Sequence, residues 1–327
     1  MNILHITNAY PTSSTPEYGV FIKEQIESIS SNIVHNDIIF INARDNGFLE
    51  YIRSVKKVNQ IAKDFKIIHC HHLYSFFVLF LSMRWIGRRV VLSFLNDWTR
   101  EIKTNSIKPI APFLCHFGVL LANVVIFKSP VPKHLTNKKN CINLPNGVDT
   151  CFFNTIDKNS AKSMLSLNKD THYILFVSSK NLYREQKRYD LFKETINTLK
   201  SRNPSLSIEP LLLCNVERTN IPYFFNAASI HLLTSDYEGS PNSVKEALAC
   251  GTPVVSRDVG NVSDMMSDIS ECHVLPLNST IEDLTFACEK VLNSNPSPDK
   301  IRSKFLTKEL SKEQIAQRLI NIYSNNF

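Results

Sequence analysis

Two carboxylates, Glu238 and Glu246, flank a segment that has the sequence signals of a helix start. Ser240 is a residue type favoured as an N-cap, and Pro241 suits the first helical position, where its missing N–H costs nothing. Because a helix N-terminus carries unpaired N–H groups and partial positive charge, it is a ready site for phosphate. Carboxylates repel phosphate, so the glutamates suit hydroxyl groups on either side of it. The pattern predicts a site for a nucleoside diphosphate sugar; a capped helix with two solvated glutamates is the alternative.

The string continues from Glu246 to Val255 as Glu-Ala-Leu-Ala-Cys-Gly-Thr-Pro-Val-Val. With Glu238 eight positions earlier, it resembles the Glu-x7-Glu signature of the retaining glycosyltransferases of family 4, which have the GT-B fold. The resemblance implies that Glu246 holds the ribose of the nucleotide diphosphate sugar and that Glu238 holds and orients the donor sugar. The other donor-binding residues that it implies in this segment are Gly239, Ser240, Pro241, Asn242 and Ser243.

The loop after the predicted strand Tyr173–Ser178 contains Lys180, Arg184, Lys187 and Arg188. Cations suit a diphosphate leaving group, on which negative charge builds as the glycosidic bond breaks; a solvated basic turn is the alternative. The family has a basic pair here before a Gly-x-Asp helix start, which Lys187-Arg188-Tyr189-Asp190 resembles with Arg188 in place of the glycine. Lys187 is therefore identified with the family lysine, and its partner stays open between Arg184 and Lys180. Because lysine, arginine and a helix dipole supply positive charge, no metal and no other cofactor is expected.

In the first half of the chain, Gly19 lies in a loop between a predicted strand and a predicted helix. The family has a glycine-containing loop here that approaches the donor phosphates or the acceptor, which makes Gly19 a candidate; a simple turn glycine is the alternative. His69, His71 and His72 gather at a predicted strand end, but alternation sends His71 and His72 to opposite faces, and no carboxylate is near in sequence. These points argue against a metal site. The family often carries His-x-His here, near the acceptor, so His71 is the candidate to line the cleft.

The string Ser93-Phe94-Leu95-Asn96-Asp97-Trp98 departs from the family pattern, which is often His-Gly-x-Asp or Arg-Gly-x-Asp after the fourth strand. Leu95 stands at the usual histidine position and Asn96 at the glycine position, so one acceptor-side group is missing. Either Asp97 or His71 serves in its place, or the acceptor differs.

Short apolar and β-branched runs alternate with amphipathic segments along the whole chain. The predicted strands of the first half are Asn2–Thr7, Asp37–Asn42, Ile67–His71, Arg89–Phe94, Val124–Phe127 and Cys141–Leu144. Those of the second half are Tyr173–Ser178, Ser207–Leu213, Ile230–Leu233, Pro253–Ser256 and His273–Leu275. This alternation predicts parallel sheets with helical crossovers, formed twice. The expected fold is α/β, with two Rossmann-like, doubly wound domains facing a cleft as in GT-B, and ligands are expected at the carboxyl ends of the strands.

The boundary between the two domains is expected near residue 160. Asn146-Gly147-Val148-Asp149 is a strong turn signal and also matches the family's junction string, and the polar segment Asn154 to Asp170 follows it. We expect an acceptor domain over residues 1–160 and a nucleotide-sugar donor domain over residues 161–308. Residues 309–327 are expected to form a C-terminal helix that packs back towards the first domain.

Composition indicates a soluble globular protein in a reducing compartment. Of 327 residues, 43% are hydrophobic and 20% charged, and the net charge is +7. The eight cysteines are scattered without a Cys-x-x-Cys pair, which argues against a zinc site and favours the cytosol. Neither Leu73–Ile86, which is too short, nor Ile110–Phe127, which is interrupted by polar residues, is expected to span a membrane.

Basic residues gather beside the apolar run that begins at Leu73. They form two groups: Arg53, Lys56, Lys57, Lys63 and Lys66, and then Arg84, Arg88 and Arg89 next to Trp85. Two interpretations stay open. One is a solvated helix face beside a core helix; the other is reversible, salt-sensitive attachment to an anionic membrane surface on its cytoplasmic side. No nucleic-acid partner is expected.

The resemblance implies an enzyme of EC class 2.4, a retaining hexosyl- or related glycosyltransferase. It would transfer a sugar from a nucleotide diphosphate sugar to a hydroxyl of a glycan or lipid-linked glycan. The expected setting is bacterial surface polysaccharide synthesis, of O-antigen, capsule or exopolysaccharide. Two alternatives stay open: a sugar-nucleotide epimerase of the same fold, and a non-catalytic subunit that binds a sugar nucleotide.

Overall fold

A computed structural model describes residues 1–15, 18–30, 33, 35–95, 111–178 and 181–324. The chain divides into two compact units. The first comprises Met1–Gly147 and Lys312–Phe327, and the second comprises Val148–Ser311. Each unit is built on one parallel β-sheet, whose central strands are buried along their length, as expected for a sheet covered by helices on both faces.

The first unit has a six-stranded parallel sheet in the order β2-β1-β3-β4-β5-β6. Its strands are β1 (Asn2–Thr7), β2 (His35–Phe40), β3 (Ile67–His71), β4 (Arg89–Phe94), β5 (Val124–Phe127) and β6 (Cys141–Asn143). Its helices include α1 (Val20–Ile29), α2 (Ala43–Asn46), α3 (Leu49–Ile61), α4 (Leu73–Leu81) and α5 (Ala111–Leu121). The fully buried Leu4, Ile68 and Leu92 of neighbouring strands place the core between this sheet and its helices.

The second unit has a five-stranded parallel sheet in the order β11-β10-β9-β7-β8. Its strands are β7 (His172–Val177), β8 (Ile208–Leu213), β9 (Ile230–Leu233), β10 (Val254–Arg257) and β11 (His273–Leu275). Its helices include α6 (Lys158–Met164), α7 (Tyr189–Arg202), α8 (Ile221–Ala227), α9 (Asn242–Ala249), α10 (Val262–Met266), α11 (Ile281–Ser294) and α12 (Pro298–Leu306). All the predicted strands of both halves are present; the second is displaced by two residues to His35–Phe40.

The last helix, α13 (Lys312–Ser324), belongs to the first unit and packs against α1. Its buried stripe of Ile315, Leu319 and Tyr323 has the spacing of one helix face. The Tyr323 hydroxyl lies 2.6 Å from Nδ1 of His69, a residue of β3. The first and the last elements of the described chain, β1 and α13, therefore both belong to the first unit.

The predicted link between the domains, Asn154 to Asp170, is instead part of the second unit. The side-chain amide of Asn226 accepts a hydrogen bond from the Ile156 N–H at 2.8 Å and donates one to the Asn154 carbonyl at 3.0 Å. Asp157 caps α6 through the Ser160 N–H at 2.8 Å. Because these bonds fix the backbone onto α8, the boundary lies at residues 147 and 148 rather than 160, and the second crossing lies at 311 and 312 rather than 308.

Among the described residues, none of the helices combines the length and the apolar character that crossing a bilayer requires.

Candidate functional site

The loop from β9 to α9 forms the centre of the predicted donor site. The helix begins at Asn242, one residue later than predicted, and Pro241 occupies the N-cap position with extended backbone. The expected cap by Ser240 is wrong, because the later helix start places Ser240 one residue before the N-cap, and Pro241 has no polar side chain to take its role. The Ser240 hydroxyl instead accepts a hydrogen bond from Nζ of Lys245 at 3.1 Å. The first turn of α9 thus keeps N–H groups that no side chain of the cap satisfies, which is the arrangement that binds an anion.

Two side chains in the first turn of α9 have defined surroundings. Oδ1 of Asn242 is buried and has no hydrogen-bond partner within the described chain. The Ser243 hydroxyl lies 3.1 Å from Nε2 of His231, whose pKa burial lowers to about 4. Since Nδ1 of His231 donates to the Leu175 carbonyl at 3.2 Å, Nε2 accepts and the Ser243 hydroxyl donates. Asn242 therefore offers a spare acceptor beside the helix N-terminus, while the Ser243 side chain is held by the core.

Lys187 and Glu238 lie together. Nζ of Lys187 is 2.7 Å from Oε1 of Glu238, and the two side chains are only 15% and 14% exposed. The Ser235 hydroxyl donates a second hydrogen bond to the same carboxylate oxygen at 2.9 Å. Lys187 reaches this place because it ends the 3-10 turn Glu185–Lys187 that follows β7. The structure thus joins the residue predicted for the diphosphate to the residue predicted for the sugar.

The other candidates of the basic loop are more exposed. Arg184 is an exposed residue whose guanidinium donates to Oε1 of Gln186 at 3.1 Å. Lys180, the rival for the arginine position, lies outside the described residues. Arg188, which stands where the family has glycine, adopts a left-handed conformation with φ 52° and ψ 54°. Its hydrogen bonds to Asp190 raise the pKa of Arg188 and lower that of the carboxyl group.

Several supporting residues were not identified from the sequence. Gln186 donates to the Tyr237 carbonyl at 2.7 Å. Arg257, at the end of β10, contacts the Asp236 carboxylate at 2.6 Å and donates to the Thr234 carbonyl at 2.9 Å. Arg257 could have been identified in the sequence, because it is a charged residue directly after a buried strand run. These contacts fix the loop that carries Glu238.

Gly260 holds the same loop by close approach. It has a φ of +60°, and a Cβ built there would lie 2.2 Å from the carbonyl oxygen of Gly239. Only glycine fits this place, because any side chain would push the Gly239 backbone away. Glu246 lies within α9, half-buried, after the first turn whose N–H groups were described above. The second unit therefore brings Lys187, Glu238 and the N-terminus of α9 together around one loop.

In the first unit, His71 is fully buried rather than exposed at a surface. Nε2 of His71 lies 3.0 Å from Nδ1 of His5, and the rings of His69 and His71 stack with centroids 3.9 Å apart. Burial lowers the pKa of His5 to about 3 and those of His69 and His71 well below the usual value. These three neutral imidazoles, with nitrogens within 4.8 Å of one another, are the group among the described residues that could hold a metal ion. The nearby Lys128, also buried with a pKa lowered to about 7, opposes a cation there whenever it is protonated.

The remaining candidates of the first unit have separate positions. Gly19 precedes α1 with φ +75°, and a Cβ there would lie 2.5 Å from the backbone of Ala9, just after β1. This close approach requires glycine whether or not Gly19 contacts a ligand. The alternative of a simple turn glycine therefore accounts for Gly19. Asp97 lies outside the described residues.

Residues 206–308 match the family model of glycosyl transferases group 1. The glycosyltransferase match contains Glu238, Glu246, Arg257 and Gly260, whereas Lys187 lies before it. A curated relative is the lipopolysaccharide core biosynthesis mannosyltransferase LpsB of Rhizobium meliloti (strain 1021), which is 30% identical over 38% of this chain. The similarity spans 42% of that relative's length.

Solved structures share the fold of this chain. Sucrose-phosphate synthase (tll1590) from Thermosynechococcus elongatus superposes with a TM-score of 0.75 at 13% identity, covering 99% of this chain and 98% of that one. Anabaena Alr3699/HepE in complex with UDP gives a TM-score of 0.72 at 13% identity, covering 99% of this chain and 100% of that one. HepE has also been crystallised with UDP-glucose. The two parallel sheets thus form the GT-B fold predicted from the sequence.

Proposed function

We propose that this protein is a retaining glycosyltransferase of family 4 that transfers a sugar from a nucleotide diphosphate sugar to an acceptor hydroxyl. The observation that carries the proposal is the second unit's loop, in which the Lys187–Glu238 ion pair adjoins a helix N-terminus without a side-chain cap. This loop lies largely within the glycosyltransferase match, and the support from solved structures is the shared fold.

In the proposed site, the N–H groups at the start of α9 and the ammonium group of Lys187 hold the diphosphate. Arg184 adds a cation at the exposed side, and Glu246 accepts hydrogen bonds from the ribose. Without donor, Glu238 neutralises Lys187. When the donor binds, its diphosphate competes with Glu238 for the lysine, and Glu238 is then free to orient the sugar. As the glycosidic bond breaks, negative charge gathers on the leaving diphosphate, and these preorganised donors stabilise it. The backbone of Gly239, Ser240 and Pro241 lines the approach, with Asn242 and Ser243 at the helix start.

The positive charge already present is the reason that we propose transfer without a metal or other cofactor. Chelator treatment is expected to leave the transfer rate unchanged. An absolute requirement for manganese or magnesium would contradict this part of the proposal. It would make the three buried histidines the candidate metal ligands.

For the acceptor we propose a glycan or lipid-linked glycan of bacterial surface polysaccharide synthesis, such as O-antigen, capsule or exopolysaccharide. LpsB supports this setting through its printed role in lipopolysaccharide core biosynthesis. The reaction would take place in the cytoplasm, with the protein attached reversibly to the inner face of the cytoplasmic membrane. On the acceptor side, Gly19 and Asp97 remain proposals. His71, being buried, is better suited to position neighbouring groups than to touch the acceptor.

The test starts from donor binding. Isothermal calorimetry with UDP-glucose and with a nucleoside diphosphate mannose, the sugars suggested by HepE and LpsB, should show binding that Glu246→Ala weakens. Incubation with donor and candidate acceptors should then yield a product with the donor's anomeric configuration, measured by NMR. Isomerised sugar nucleotide from donor alone would favour an epimerase. Binding without hydrolysis or transfer would favour a non-catalytic subunit.

A further inference from the structure

Three helices of the first unit, α3, α4 and α5, enclose an apolar groove of about 880 Å³. Its walls include Phe48, Tyr51, Ile52, Phe77, Leu81 and Leu114. The volume lies within the range of roughly 300–1,000 Å³ that holds small-molecule ligands in proteins. Among the described lining residues, the charged and amide side chains are Lys56, Asn59 and Gln60 on α3, and Tyr51 and Tyr74 add two hydroxyl groups. The groove is therefore built for a ligand with few hydrogen-bonding groups.

One end of the groove reaches the carboxyl edge of the sheet. The rings of Tyr51 and Tyr74 lie 5.6 Å apart, and the Tyr51 hydroxyl accepts a hydrogen bond from Asn8 at 3.2 Å. The Tyr74 N–H donates to Nδ1 of His72 at 3.3 Å. Asn8 follows β1 and His72 follows β3, at the edge where α/β proteins bind ligands.

The groove wall on α3 is tied to the residues after α4. The Arg84 guanidinium donates to both the carbonyl and the side-chain oxygens of Asn59, which lines the groove, at 2.7 to 3.0 Å. These bonds hold α3 in place beside the end of α4.

Exposed apolar side chains are also concentrated on α3, α4 and α5 and in the segments next to these helices, and Phe48, Ile52 and Leu81 among them line the groove. Of the thirteen large hydrophobic side chains that are exposed among the described residues, eight belong to this part of the first unit: Phe48, Leu49, Ile52, Leu81, Met83, Ile86, Phe113 and Leu120. Contiguous exposed apolar surface is rare on soluble monomers and marks a contact with a protein, a ligand or a membrane.

The same surface is cationic. Residues 49–89 contain eight lysine and arginine residues against two acidic ones. Lys56 and Lys57 are exposed on α3, and Arg53 is 68% exposed with only a 3.7 Å approach to Glu50. These cations adjoin the apolar side chains, which is the combination that favours an anionic membrane surface.

We propose that this groove binds a hydrocarbon chain of an anionic lipid while the α3–α5 face rests on the bilayer. The proposal deepens the acceptor side of the proposed function and rests on it for the identity of a lipid-linked acceptor. A sugar chain in the groove would lose hydrogen bonds to water that the apolar walls cannot replace. A second copy of the chain would bring two identical cationic rims together, which repel each other. A lipid chain satisfies both the apolar walls and the basic rim.

Co-sedimentation with vesicles of phosphatidylglycerol and phosphatidylcholine tests the proposal on the full chain. The variant Leu81→Asp alters a groove residue that is 65% exposed, and its matched control Met164→Asp alters a residue that is 63% exposed in the second unit. We expect wild-type binding at low salt that weakens at high salt, a loss of about tenfold or more in Leu81→Asp, and no change in the control. Circular dichroism of both variants should match the wild type.

A second readout locates the lipid chain. With the native Trp85 and Trp98 both replaced by phenylalanine, the tryptophan fluorescence of Leu81→Trp should be quenched by phosphatidylglycerol with brominated acyl chains, whereas that of Met164→Trp should not. The proposal is overturned if wild-type protein does not bind at low salt, or if Leu81→Asp binds as the wild type does. A concentration-dependent dimer that Leu81→Asp dissociates would also overturn it and assign the groove to a second copy. Donor calorimetry on the same proteins separates the two proposals, because vesicle binding does not depend on the donor.

Discussion

At the residue scale, Lys187 and Glu238 form a mostly buried ion pair, in which each side chain neutralises the other. In the proposed function this pair would couple donor binding to sugar orientation, because the negative charge of a bound diphosphate would compete with Glu238 for the lysine. The two residues are therefore expected to respond differently to removal, although they touch.

We expect Glu238→Ala and Glu246→Ala to separate turnover from binding. Loss of the Glu246 carboxylate should weaken donor binding by about 1.5–3 kcal/mol, the cost of a charge-assisted hydrogen bond. Loss of Glu238 frees Lys187 for the diphosphate, so donor affinity should stay equal or rise while turnover falls. Calorimetry and initial rates measure the two effects, with Glu238→Gln as a control for side-chain size. Wild-type kinetics in both alanine variants would contradict the proposed roles of Glu238 and Glu246.

We expect Lys187→Ala to lose more activity than Lys180→Ala. Removing Lys187 takes a cation from the diphosphate and also leaves the Glu238 carboxylate without its ion-pair partner beside a phosphate. A loss of about 2 kcal/mol or more in kcat/KM is the expected size for a buried charged contact. If the double variant Lys187→Ala with Glu238→Ala is no better than the sum of the single losses, the two residues do not act as a pair.

At the scale of elements, the position of α9 and its preceding loop depends on Gly260 in the next connection. The carbonyl of Gly239 occupies the space that a Cβ at Gly260 would need. The loop that carries Glu238 is thus held by β10 and its following turn as well as by Lys187, Ser235 and Arg257.

We expect Gly260→Ala to weaken donor binding as well as folding. Gly87→Ala is the matched control, because Gly87 has φ +70° but nothing within 4 Å of its Cβ position. Both substitutions should cost about 1–2 kcal/mol for the positive φ. Only Gly260→Ala should cost more than that in urea unfolding and lower donor affinity in calorimetry. Equal effects of the two substitutions would show that the contact with Gly239 is unimportant.

At the scale of the whole molecule, the first unit joins both ends of the described chain around a buried histidine cluster. His5 lies on β1, His69 and His71 lie on β3, and α13 supplies Tyr323 to His69. The pKa of His5 is lowered to about 3 because burial disfavours the charged ring. These histidines stay neutral in the folded chain at pH values where an unfolded chain takes up protons.

Folding stability is therefore expected to fall as the pH drops below about 6.5, the ordinary pKa of histidine. Between that value and the lowered folded-state pKa, each such histidine should contribute a loss of about 1.4 kcal/mol per pH unit. Urea unfolding at pH 7, 6 and 5 measures the slope. His5→Phe should make this slope shallower than in the wild type. Parallel slopes in wild type and His5→Phe would contradict the argument.

The strands, the α/β alternation and the position of the candidate donor loop could be predicted from the sequence. These features depend on local rules: apolar runs make buried strands, and glycine, proline and serine mark the ends of helices. The string from Glu238 to Val255 carried a family resemblance that the glycosyltransferase match over residues 206–308 later supported. Domain boundaries were less predictable, because a polar segment such as Asn154 to Asp170 looks like a linker until Asn226 bonds to it.

The tertiary structure alone decided which distant side chains meet. Lys187 and Glu238 are 51 positions apart, and their ion pair exists because parallel strands deliver both loops to the same edge of one sheet. Ser240 does not cap α9 because the helix starts at Asn242 with Pro241 at its N-cap. His71 is buried beside His5, which lies on the neighbouring strand β1. A sequence lists hydrogen-bonding groups, but burial and competition among partners choose between them, and both are properties of the folded chain.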